Sequence, residues 1–122
     1  MSLTVLAIDD SRTIREMLRK ALTEAGFVVH TAEDGVDGVE RLASISADVV
    51  ITDINMPRMD GFGVITAVRA STGHASLPIL VLTTETGAEL KQRARSAGAT
   101  GWIVKPFDEA GLIDTINRVL GL

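Results

Sequence analysis

Cysteine and tyrosine are both missing from this chain, and aromatic residues make up only 3% of its 122 positions. Without cysteine, neither a disulfide framework nor a thiolate metal site can form, and a reducing compartment is permitted. So few aromatics provide no stacking platform for single-stranded nucleic acid. No apolar run approaches the ~20 residues needed to cross a bilayer, and Met1-Ser2-Leu3 leads into strand-like sequence without a basic start and apolar block. The expectation is a cytoplasmic protein. Positive charge is also short: the formal net charge of −4 disfavours nonspecific attraction to nucleic acid or to an anionic membrane. The length suits one domain, residues 1–122, able to bury about two-thirds of the surface its unfolded form exposes.

What the chain does contain is an alternation of short apolar runs and amphipathic stretches. Thr4-Val5-Leu6-Ala7-Ile8 reads as a buried strand, and Asp9-Asp10-Ser11 can cap a helix directly after it. Ile14, Met17, Leu18, Ala21, Leu22 and Ala25 recur at helical spacing, with Thr13 and Glu16 spaced as a capping box and Gly26 as the stop. Val28 to Ala32 mixes polar residues into a strand pattern, as at a sheet edge. A short second helix follows Asp34-Gly35, carried by Val36, Val39, Leu42 and Ala43. The run Val49-Val50-Ile51-Thr52 is β-branched enough to be buried on both faces, and it delivers Asp53 to its carboxyl end before Pro57 blocks simple continuation.

Phe62, Val64, Ile65 and Val68 predict a third helix running to about Ser71, and Pro78 opens a strand over Ile79 to Leu82. The fourth helix, with Thr86 as its expected cap, has a thin stripe in which Leu90 is the one large aliphatic residue beside Ala88, Ala94 and Ala97. Lys91, Arg93 and Arg95 crowd it, as a solvated face or as a surface that changes partners. Trp102-Ile103-Val104 is the fifth strand, and Asp108 caps a helix with Leu112, Ile113, Ile116, Val119 and Leu120 on one face. His30 and His74 are solitary and read as structural or solvent-facing.

Five strands alternating with five helices make an α/β, doubly wound parallel sheet, whose ligands collect outside the carboxyl ends of the strands. Those ends carry Asp9-Asp10, Asp53, Thr83-Thr84 and Lys105-Pro106. If the first and third strands are neighbours, three carboxylates converge, and either one holds a proton or a cation lies between them. An all-oxygen set suits Mg²⁺, which uses one or two carboxylates plus phosphate oxygens. Against Lys105 the three acids leave two uncompensated negative charges, and a divalent ion cancels them. Carboxylate, metal, lysine and the Thr83 hydroxyl together suit phosphoryl transfer to a carboxylate. Asp53 is the preferred acceptor because it stands alone, whereas adjacent acids ahead of a helix have a capping role open to them.

These residues give the chain a resemblance, over essentially its whole length, to the receiver domains of bacterial two-component response regulators, in particular to the single-domain chemotaxis members. The resemblance implies the flavodoxin-like strand order 2-1-3-4-5. It implies that Asp53 accepts a phosphoryl group from a sensor histidine kinase in a phosphorelay, with Asp10, Asp53 and the main-chain carbonyl of Asn55 holding Mg²⁺ and Asp9 acting through water. It also implies that Thr83 and Lys105 stabilise the phosphoryl group, that Asn55 and Glu85 tune its hydrolysis, and that the Lys105-Pro106 bond is cis. Phosphorylation then draws Thr83 inward, lets Trp102 repack, and alters the surface of helix 4, strand 5 and helix 5. Trp102 departs from the chemotaxis tyrosine, and Thr84 from a smaller residue.

The expected protein is a monomeric signalling phosphoacceptor with no enzymatic turnover of an external substrate. Because no second domain precedes the end at Leu122, output is expected through contact with an effector protein, in chemotaxis the flagellar motor switch. The alternatives are a phosphate sink and a receiver fragment of a larger DNA-binding regulator. A phosphatase would need an external substrate. A flavin module is disfavoured because Asp9-Asp10-Ser11 would repel the phosphate its loop must cradle.

Overall fold

Each short apolar run forms a strand, and the three central ones are buried from both sides. In the computed structural model, which describes residues 2–122, β1 (Thr4–Ile8), β2 (Val28–Ala32), β3 (Val49–Thr52), β4 (Ile79–Thr83) and β5 (Gly101–Val104) build one sheet. All neighbours are parallel, in the order β2-β1-β3-β4-β5. Between them run α1 (Arg12–Glu24), α2 (Gly35–Leu42), α3 (Gly61–Ala70) and α4 (Ala88–Ala97), and α5 (Glu109–Val119) follows β5. Met1, part of the amino-terminal stretch read from the sequence, lies outside the described residues.

The two-residue period of a strand divides the core in two. Val5, Ala7, Val49, Ile51, Leu80 and Leu82 face Leu18 and Leu22 of α1 and Leu112 and Ile116 of α5. Leu6, Ile8, Val50, Ile79 and Val81 face the other way, onto Leu42 of α2, Phe62, Val64, Ile65 and Val68 of α3, and Ala94 of α4. The three central strands are therefore covered on both sides, and polar residues are confined to strand ends. The mixed pattern of β2 has its expected place, at an edge of the sheet.

Local details depart from the sequence reading at two helices. Ser11 caps α1, its hydroxyl accepting from the Ile14 amide, and the Thr13–Glu16 capping box does not form: Glu16 instead approaches Arg12 at 3.8 Å. Met17, expected on the buried stripe, is 46% exposed. Gly87 takes the cap position of α4 without any side-chain bond, so Thr86 does not serve there. Asp34, Asp60 and Asp108 cap α2, α3 and α5 through their carboxylates. Among the described residues no helix is long and apolar enough to cross a membrane.

Candidate functional site

The pairing of β1 with β3 sets Ile8 beside Thr52, so the residues that follow them, Asp9 and Asp53, emerge side by side at the carboxyl edge. Asp9 is 1% exposed and Asp53 8%, while Asp10 faces solvent. A carboxylate oxygen from each of the three lies within 4.8 Å of the others. Lys105 reaches in from the end of β5. Its Nζ donates to Asp9 Oδ2 at 2.7 Å and to Asp53 Oδ2 at 2.9 Å. The Lys105–Pro106 bond is cis.

Backbone donors hold the acids in place. Asp9 Oδ1 accepts from the Ser11 amide at 2.9 Å, and Asp53 Oδ1 accepts from the Ile54 amide at 2.6 Å. The start of α3 comes close beneath: a Cβ on Gly61 would collide with the Asp53 carbonyl oxygen, an approach only glycine permits. Burial pushes the Asp9 carboxyl above its ordinary range, against the opposing pull of Lys105. For Lys105 burial is the largest single influence and acts downward, yet its bonds to Asp53 and Asp9 together outweigh it and hold the ammonium on. A charged lysine between two buried carboxylates leaves net negative charge with Asp10 at the rim, the condition that a divalent cation relieves. The donors are all oxygen, with no histidine or cysteine in the cluster, which fits a hard ion such as Mg²⁺.

The other expected residues gather around this centre. Thr83 ends β4 fully buried, and its hydroxyl accepts from the Glu85 amide at 3.3 Å. Asn55 donates through Nδ2 to Glu85 Oε1 at 2.9 Å, which links the loop after β3 to the loop after β4 at the exposed rim. Trp102 is half-buried, and its indole N–H donates to the Glu85 carbonyl at 3.1 Å. Sequence reasoning assigned no role to Arg58 and none beyond the start of a helix to Asp34, yet the two join in a two-pronged ion pair beside the β3–α3 loop. Asp34 was visible as an acid ahead of a helix, whereas nothing in the sequence pointed Arg58 at it.

The model of the response regulator receiver domain matches residues 5–117. The chain belongs to this receiver family. The receiver is 42% identical over 120 residues to the response regulator MprA of Mycobacterium ulcerans, covering 98% of this chain and 51% of that protein. Against the response regulator MprA of Mycobacterium bovis the identity is 41% with the same coverage. The chain thus spans about half the length of the curated relatives it matches. Among solved structures, the chemotaxis protein CheY4 of Vibrio cholerae superposes with a TM-score of 0.94 at 45% identity, covering 98% of this chain and 99% of that one. Both kinds of relative are therefore comparably similar to the receiver, and chemotaxis members hold no privileged place. Receiver domains of this family act as phosphoacceptors, not as general enzymes, and the family implies a cognate histidine kinase.

Proposed function

We propose that this receiver takes a phosphoryl group on Asp53 from the phosphohistidine of a sensor kinase, in the cytoplasm and with Mg²⁺. The observation that carries this reading is the bridging of Asp9 and Asp53 by the Lys105 ammonium, with Asp10 close enough to complete an oxygen cluster. Asp9, Asp10, Asp53 and the main-chain carbonyl of Asn55 would hold the ion. When bound, Mg²⁺ supplies positive charge against the equatorial phosphoryl oxygens. Asp53 is the nucleophile: a carboxylate oxygen forms the new bond to phosphorus as the bond to the imidazole nitrogen breaks, and the imidazole leaves to be protonated from water.

Lys105 has a second task once Asp53 is esterified. Of the two carboxylates that held it, Asp53 has lost its charge, and the ammonium, still bonded to Asp9, can turn its remaining donors to the phosphoryl oxygens. The Thr83 hydroxyl, which ends the neighbouring strand, turns to donate to the same group. That movement releases the Glu85 amide, and with it the loop whose carbonyl receives the Trp102 indole. The Asn55 side chain is bonded to Glu85 at the exposed rim, a position that supports a role for the pair in tuning the lifetime of the phosphoryl group.

The altered surface comprises α4, β5 and α5, and the half-length match to MprA regulators favours its being read within a longer regulator, such as a DNA-binding one. The full-length match to CheY4 supports the second reading, a monomer that binds the flagellar motor switch. Phosphorylation-dependent binding to a purified switch protein is expected only under that second reading. The acceptor assignment is tested by mass: with acetyl phosphate and Mg²⁺ the wild-type chain gains one phosphoryl group and Asp53→Asn gains none. Equal labelling of the variant would move the acceptor elsewhere.

A further inference from the structure

Arg58 is the one non-glycine residue among those described with a positive φ, +66°, a region that costs about 1 kcal/mol or more for a side chain of its kind. It lies in the loop between Asp53 and α3, three residues after Asn55. The loop is held in this shape by a two-pronged ion pair: Arg58 Nε donates to Asp34 Oδ2 at 2.8 Å and Nη2 to Asp34 Oδ1 at 3.0 Å. Asp34 is itself fixed, 5% exposed, with Oδ1 also accepting from the Asp37 amide as the cap of α2. Next to it the Gly35 amide donates to the Met59 carbonyl at 3.2 Å, and a Cβ on Gly35 would run into that oxygen. Three contacts thus moor one short loop to the start of a helix on another strand connection.

The far end of the same loop is moored to the site, where the Gly61 amide donates to the Ile54 carbonyl at 2.8 Å. Between these two moorings lies Asn55, with no backbone hydrogen bond to the sheet among the described residues to fix the direction of its carbonyl. We infer that Arg58 and Asp34 are positioning residues for the metal site: their ion pair sets the β3–α3 loop so that the Asn55 carbonyl faces the carboxylates. This inference rests on the reading of that carbonyl as a metal ligand. A planar guanidinium suits the task better than an ammonium, because its two parallel bonds fix direction as well as distance.

The test is the binding of Mn²⁺ alone to the purified chain, read as free ion by electron paramagnetic resonance, with thermal unfolding measured alongside. Arg58→Gly is the decisive variant. Glycine accepts the left-handed backbone freely, so folding survives, and loss of a cation beside an acidic site would by charge alone tighten Mn²⁺ binding. Weakening by about tenfold, the scale of losing a group that orients a ligand, is the expected result. Arg58→Lys, with one point of attachment, should fall between, and Asp34→Asn combined with Arg58→Gly should be no worse than Arg58→Gly alone. Unchanged or tighter binding by Arg58→Gly overturns the inference. Failure of the wild-type chain to bind Mn²⁺ overturns instead the metal reading beneath it, and Asp10→Ala, which should bind poorly whatever the ion pair does, separates the two.

Discussion

Asp34 illustrates how a single carboxylate can serve two elements. The Arg58 guanidinium, first, and then the Asp37 amide hold its carboxyl below its ordinary 3.8. A depressed carboxylate contributes stability that is complete above 3.8 and is lost as the pH falls through the lower folded value. The gap in urea-unfolding stability between the wild type and Asp34→Asn should therefore be steady from about pH 5 to 7 and close below 3.8. A gap that widened in acid would contradict the pairing. An acid closing a strand is more often a turn or cap residue, and Asp53, Asp9 and Asp10 were legible as a group because four strand ends carry polar residues at the same edge of the sheet. The Asp34–Arg58 pair was not, since its members lie 24 positions apart in two loops and follow no period that a pattern can register.

Among the elements, α4 is the least anchored. Ala94 is its one buried residue, against five on α3, and its cap has no side-chain bond. Small buried area and an unsatisfied first turn both lower the cost of local opening. In hydrogen–deuterium exchange the amides from Lys91 to Ala94 should exchange well ahead of those from Ile65 to Val68, and equal protection would contradict this. The weak stripe was visible in the sequence, but the missing cap was not: Thr86 and Gly87 are adjacent, and choosing between them takes the backbone angles of one residue. At α1 the sequence offered both Asp9-Asp10-Ser11 and the Thr13–Glu16 box, and Ser11 is the one that meets the first amides. Arg93 of α4 lies over the Phe62 ring of α3 at 3.8 Å, so part of the contact between these helices is a cation against an aromatic face and adds little buried apolar area.

At the scale of the whole molecule, the fold was readable because strand and helix patterns alternate without exception and parallel crossovers leave few topologies. The sheet order came from family resemblance, and the observed pairing agrees with it. An ion held by the cluster at the carboxyl edge would couple its binding to folding, since the unfolded chain cannot bring Asp9, Asp10 and Asp53 together. Raising Mg²⁺ to about ten times its dissociation constant should add about 1.4 kcal/mol, or roughly 3–8 °C in Tm, at pH 7. In Asp10→Ala the gain should shrink. An unchanged Tm in saturating Mg²⁺ at pH 7 would contradict a folded-state site.

The bond from Lys105 to Asp9 spans 96 positions of sequence. A polypeptide leaving the ribosome therefore presents its acids long before their counter-charge has been translated. Until β5 has slotted against β4, the carboxylates have neighbouring backbone amides but no lysine, so the site is completed late in synthesis. A truncated product that stops short of Lys105 would lack both this counter-charge and the α5 residues, Leu112 and Ile116, that cover one face of the sheet.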